Sequence, residues 1–203
     1  MVVRILVSTA SKHGSTGEIA TRIAEALRAG LPGDAVVDVL PAAEVGDATS
    51  YDAVVLGSAI YMGRWLEDAR HVAARLATQP PRPVWLFSSG PIGDPPKPDE
   101  EPAEVSDIAT ATHARGHRLF AGRLDRHRLG FGEKAVVMAL RVTDGDFRDW
   151  DAIDTWGAQI AGELSEAAAR RVGAPHSPGR PERDDRDQGI RSCLVRPHHP
   201  YRR

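Results

Sequence analysis

Short apolar runs punctuate the chain at regular intervals: VVRILV (2–7), AVVDVL (35–40), DAVVLGS (52–58), PVWLFSS (83–89) and HRLFAGRL (117–124). They are rich in Val and Leu and lack strict alternation, the pattern of strands buried on both faces. Between them lie TGEIATRIAEALRAGL (16–31) and LEDARHVAARLATQ (66–79), where apolar residues recur every three or four positions as in amphipathic helices. Strand and helix patterns in alternation predict an α/β domain: a doubly wound, five-stranded parallel sheet of order 2-1-3-4-5 with helices on both faces. In that topology a ligand sits beyond the carboxyl ends of the strands, where the order reverses between strands 1 and 3. The informative loops are therefore those after strands 1, 3 and 4.

The loop after strand 1 reads SKHGST, Ser11 to Thr16. A loop that opens a helix leaves backbone N–H groups without intrahelical partners, all aimed at one spot that favours an anion. Ser11, His13, Ser15 and Thr16 add side-chain donors, and Gly14 allows close backbone approach or a positive φ. Two readings stand side by side: Ser15 or Thr16 caps the helix with Glu18 as a capping-box partner, or the loop cradles a phosphate. The density of donors favours the phosphate. The loop lacks the terminal Lys-Ser/Thr of a nucleoside-triphosphatase loop and the three spaced glycines of a dinucleotide fingerprint.

SKHGST resembles the S/T-x-T-G-x-T loop of the flavodoxin family, with Ser11, Gly14 and Thr16 matching, Ser15 at the variable position and His13 in place of the usual Thr. That resemblance implies bound FMN, with its phosphate held by Ser11, Lys12, His13, Gly14, Ser15 and Thr16. It implies further that the loops after strands 3 and 4, GSAIYMGRWLEDA and SSGPIGDPPKPDEE, enclose the isoalloxazine ring. The implied ring contacts are Ala59, Ile60, Tyr61, Met62 and Gly63 on one side, and Ser88, Ser89, Gly90, Pro91 and Gly93 on the other. Tyr61 is the favoured stacking face, Trp65 reads as an inward-facing helix residue, and Ser88, Ser89, Gly90 and Gly93 are expected to expose backbone N–H groups. Read together, YDAVVLGSAIYMGRW, FAGRLD and GDFRDWDAIDTWGAQIAGEL resemble the branch of menaquinone-dependent protoporphyrinogen dehydrogenases. The branch implies an insert after strand 5, here Arg126 to Phe147, with EKAVVMALRV (133–142) as a short apolar helix.

With 203 residues, 41% of them hydrophobic and 27% charged, the chain suits one globular domain with a sizeable core. Its net charge of −2 hides an asymmetry: residues 172–203 carry seven Arg against four acidic residues, leaving an acidic body. We expect a flavodoxin-like domain over 1–171 and a disordered Pro/Arg-rich tail over 172–203. The tail interleaves opposite charges without a set of aromatic residues for stacking, so nucleic acid is not an expected partner. No apolar run reaches the length of a membrane span, MVVRILV lacks the order of a secretory leader, and the lone Cys193 forms no internal disulfide; a cytoplasmic protein is expected.

Other chemistries fit less well. A phosphoryl-accepting receiver domain needs carboxylates where this chain has Ser8, Thr9, Gly57 and Ser58. His113 and His117 stand four apart, but they read as solvent-exposed rather than as metal ligands. Three functions follow from the resemblance and the loops: FMN-dependent electron transfer with a redox partner protein, oxidoreduction of a quinone or porphyrin-type substrate, or a flavin-free interaction module. In a flavin protein, Asp94, Asp99, Glu100 and Glu101 would lower the potential of the ring through their charge.

Overall fold

The computed structural model describes residues 2–90, 103–125 and 144–173. The chain divides into two compact units, 1–172 and 173–203, and the sheet with its helices belongs to the first. Pro91, Gly93, Asp94, Asp99, Glu100, Glu101, the 133–142 helix and the tail from residue 174 lie outside the described residues.

The elements run β1 (Arg4–Ala10), α1 (Ser15–Gly30), β2 (Val36–Pro41), a 3₁₀ turn (Ala42–Glu44), β3 (Ala53–Tyr61), β4 (Arg64–Trp65) and α2 (Glu67–Thr78). They continue with β5 (Val84–Ser89), α3 (Ala103–Ala111), β6 (Gly116–Phe120), β7 (Arg123–Leu124), β8 (Gly145–Asp146) and α4 (Trp150–Gly173). Five parallel strands form the sheet in the order β2-β1-β3-β5-β6, the doubly wound arrangement expected, while β4 folds back antiparallel on β3. The run HRLFAGRL is not one strand. It ends in the sheet at Phe120, and after Ala121 and Gly122 the chain turns away so that β7 pairs with β8 as a separate two-stranded ribbon. Gly145 and Asp146, read as the end of the insert, are thereby a structural ribbon of the domain.

Alternate residues of the central strands feed two cores, as the pleat requires. Ile5, Val7, Val55, Trp85 and Phe87 face α1 and α4, where Ile19, Ile23, Leu27, Ile153 and Ile160 meet them. Leu6, Val54, Leu56, Val84 and Leu86 face α2 and α3, against Val72, Leu76 and Val105. Phe87, Phe120 and Trp156 form an aromatic cluster with ring centroids 5.7–6.1 Å apart. The α1–α4 contact is close because it is made of small residues: a Cβ on Gly157 would stand 2.7 Å from Ala26 Cβ, and one on Gly30 would stand 2.8 Å from Ala161 Cβ. Arg22 adds a bidentate bond to Asp154, both contacts at 2.6 Å. Among the described residues no helix is long and apolar enough to cross a membrane.

Gly57 in β3 has no side chain because the Phe87 ring fills the space; a Cβ there would lie 2.2 Å from Phe87 Cζ. Gly57→Ala should therefore force the ring off its position, and overpacking of this kind costs roughly 1–3 kcal/mol. Chemical denaturation should show a lower midpoint with an unchanged slope; an unchanged midpoint would mean that the ring moves freely.

Candidate functional site

The loops expected to matter converge at the carboxyl end of the sheet. Gly14 takes the left-handed conformation, φ 88° and ψ −19°, and precedes α1 without any side-chain cap. Its N–H donates to Ser11 Oγ at 3.1 Å, which folds the loop into a tight turn and leaves the Ser11 hydroxyl hydrogen to be donated elsewhere. The first helical bond runs from Glu18 N to Gly14 O at 3.0 Å, so the N–H groups of Ser15, Thr16 and Gly17 have no acceptor within the helix. The capping-box alternative does not describe this terminus, because Glu18 turns away from it. Thr16 is buried at the first turn, and Ser15 Oγ accepts the N–H of Arg123 at 3.1 Å, which joins the loop to β7.

Glu18 is drawn outward by two guanidinium groups. Arg148 donates to Glu18 Oε2 at 2.7 Å and to both oxygens of Asp146, at 2.7 and 2.5 Å, while Arg123 pairs with Glu18 at 3.0 Å. The Arg148 side chain is only 2% exposed, and its guanidinium lies 4.3 Å from the centre of the Trp150 ring. The hydrogen bond from Arg148 holds the Asp146 carboxyl below its usual range, and the Asp146 bond in turn raises Arg148. Burial alone would raise Glu18, but the hydrogen bonds and charges of Arg148 and Arg123 together outweigh it and lower its pKa. These two cations are matched by two carboxylates, Glu18 and Asp146. Nothing in the sequence singled out Arg148: its partners Asp146 and Trp150 are close in the chain, but Glu18 is 130 residues away.

The second loop is a β-hairpin. Tyr61 pairs with Arg64 across Met62 (φ 50°) and Gly63 (φ 73°), a two-residue turn with both central residues at positive φ. Ala59, Ile60 and Tyr61 finish β3 half-buried, whereas the Met62 residue at the tip is 92% exposed. Lys12 Nζ sits 4.1 Å from the centre of the Tyr61 ring, bridging the first loop to the hairpin; His13 is half-buried beside it in sequence. Trp65 is a core residue of β4, 2% exposed, and does not present a face to the site.

The third loop begins later than expected. Ser88 and Ser89 are buried within β5, in register with Leu119 and Phe120 on one side and Ser58 and Ala59 on the other. They do not expose backbone N–H groups, because the sheet claims that stretch of chain on both sides. Gly90 is the first residue beyond the strand, its N–H donating to Phe120 O at 3.4 Å, and a Cβ on it would stand 3.0 Å from Ile60 Cβ. The structure thus brings Ser11–Thr16, the Ala59–Gly63 hairpin and Gly90 to one end of the sheet.

His113 and His117 do not share a helical face. His113 follows α3 with φ 50° and is exposed, while His117 is half-buried in β6 with Nε2 2.9 Å from Ser88 Oγ. Burial lowers the His117 pKa from 6.5 to about 4. Between those two values the unfolded chain binds a proton that the folded chain refuses, so stability increases as pH rises through this window and is lost as pH falls through it. The melting temperature of the wild type should climb more steeply between pH 4 and 6.5 than that of His117→Gln. Parallel profiles would place the imidazole in water.

Residues 6–151 match the model of the flavodoxin domain. No curated protein is similar enough to this sequence to match. Among solved structures, a flavodoxin from the domain Archaea superposes with a TM-score of 0.56 at 14% identity, covering 80% of this chain and 99% of that one. A flavodoxin from Streptococcus pneumoniae TIGR4 gives 0.52 at 17% identity over 81% of this chain and 99% of its own. The rubredoxin oxygen:oxidoreductase of Desulfovibrio gigas gives 0.57 at 13% identity; 82% of this chain is covered, but only 37% of that much longer protein. The doubly wound sheet, the loop at its switch point and the domain match over most of the described chain lead to one conclusion: this chain belongs to the flavodoxin-domain family.

Proposed function

We propose that the converging loops bind FMN and that the protein transfers electrons to and from a redox partner. The observation that carries this reading is the α1 N-terminus, where Gly14 in the left-handed conformation opens a turn with three N–H groups free of helical acceptors. A dianionic phosphate suits such a terminus, because the N–H groups and the helix dipole act on it together. The hydroxyl hydrogens of Ser11, Ser15 and Thr16 complete the donor set, and Lys12 and His13 lie at its rim. The hairpin Ala59–Gly63 and Gly90 are the residues that would flank the ring, with Pro91 and Gly93 as the expected continuation of that side. Bound FMN would supply the redox chemistry through its ring, and the chain would supply binding, orientation and electrostatics. Arg123 and Arg148 are engaged by Glu18 and Asp146, which supports a phosphate held by the backbone N–H groups and hydroxyls of the loop with Lys12 beside them.

Titration of flavin-free protein with FMN and with riboflavin tests the assignment. FMN should bind more tightly than riboflavin, and Ser11→Ala and Thr16→Ala should each weaken FMN by roughly ten- to hundredfold, the worth of about 1.5–3 kcal/mol for a hydrogen bond to a charged group. Riboflavin affinity should not change. Equal affinities for the two flavins across wild type and variants would remove phosphate from this loop.

A finer reading, in which the protein reduces or oxidises a quinone or porphyrin-type substrate as the protoporphyrinogen dehydrogenase resemblance implies, is supported by one feature. The β7–β8 ribbon pairs Leu124, just before the expected insert Arg126–Phe147, with Gly145 near its end, beside the loop that carries Ser15. Replacing 126–143 with a short Gly-Ser link should then abolish quinone reduction while flavin binding and electron transfer to a small soluble acceptor persist. Unchanged rates with both acceptors would leave the carrier reading alone.

A further inference from the structure

Behind the hairpin runs a chain of buried polar groups that the flavin reading does not use. The Trp65 indole N–H donates to Ser88 Oγ at 2.8 Å, and Ser88 Oγ lies 2.9 Å from His117 Nε2. Trp65 is 2% exposed and Ser88 is fully buried. An indole nitrogen only donates, so Ser88 accepts from Trp65, and the tautomer of the imidazole decides which way the Ser88–His117 bond runs. The chain therefore passes from β4 through β5 to β6.

The hairpin that it anchors is joined at few points within itself. Only two residue pairs, Ile60 with Trp65 and Tyr61 with Arg64, join its arms, and a short two-stranded hairpin is marginal by itself. Its returning arm is secured by bonds to side chains: Leu66 N–H to Ser58 Oγ at 2.9 Å, Trp65 N–H to Glu104 Oε2 at 3.1 Å, and the indole to Ser88. Of these, the indole bond alone runs to β5, the strand that leads into Gly90. It ties the returning arm of the hairpin to the strand that leads into the third loop, beyond the point where β3 and β5 already pair through Ala59 and Ser89. The hydroxyl of a serine suits position 88 because a single oxygen there accepts from the indole and can still bond the imidazole in either direction.

We propose that Trp65, Ser88 and His117 are positioning residues that fix the spacing of the two loops flanking the ring site, and through it the affinity for the ring portion of a flavin. The proposal rests on the flavin reading, and its test separates the two. In flavin-free protein, Ser88→Ala leaves the Trp65 N–H without its acceptor, and amide hydrogen exchange at Ile60–Arg64 should speed up about tenfold, while amides of β1 and the first half of β3 stay protected. His117→Leu should behave in the same way, and His117→Gln, which retains a hydrogen-bond partner for the Ser88 hydroxyl, should restore protection. In titrations, Ser88→Ala should weaken FMN and riboflavin by the same factor, about tenfold, so that their ratio is unchanged. Exchange that rises equally across β1, β3 and the hairpin, or not at all in the hairpin, would reduce the chain to general core packing. A fall in FMN affinity alone would overturn it as a ring-side device. If the wild type takes up neither flavin, the flavin reading fails, and the exchange pattern still decides whether the chain positions the hairpin.

Discussion

One buried guanidinium holds together the end of the domain on which the site depends. Arg148 is met by a bidentate carboxylate at Asp146, a second carboxylate at Glu18, and the face of Trp150. A charge in such a place is tolerated only when its donors are matched, and removing one partner from a buried pair costs far more than an exposed pair ever contributes. Matching these donors requires the β7–β8 ribbon, the first turn of α1 and the start of α4 to meet at one point. The consequence reaches the loop, because Glu18 is occupied at the side of the helix by Arg148 and Arg123 and does not cap the terminal N–H groups of α1. The same interaction that closes the fold at this corner therefore draws the nearest carboxylate of the helix away from its N-terminus.

The fold was legible because its signals are local. Val-rich runs and three-to-four-residue periodicity over 16–31 and 66–79 correspond to β1, β2, β3, β5, α1 and α2 with boundaries shifted by a few residues. The tight turn before α1 was legible for the same reason, since Ser11 and Gly14, which the Gly14 N–H joins, lie within four consecutive positions. Features that depend on distant partners were not legible. Met62-Gly63 does not look like a hairpin turn, because the usual Asn or Asp at positive φ is replaced by methionine, and β4 was hidden with it. Ser88 and Ser89 look like loop residues. They sit in a buried strand because Trp65 and His117, 23 and 29 residues away, satisfy the Ser88 hydroxyl. His117 appeared to be a surface residue for the same reason: its burial is set by neighbours across the sheet.

The small residues between α1 and α4 bear on how rigid the site is. Ala26 and Gly30 on one helix, and Gly157 and Ala161 on the other, are each four apart, so each pair stacks on a single helical face. With only Ala and Gly at these four positions the two helices approach closely there, and Asp154 ties α4 to Arg22 of α1. The first turn of α1 is held in turn by Arg123 and Arg148, and the loop at Gly14 leads into it. A ligand arriving there meets donors whose positions were set during folding, so binding need not spend free energy on ordering the helix that presents them.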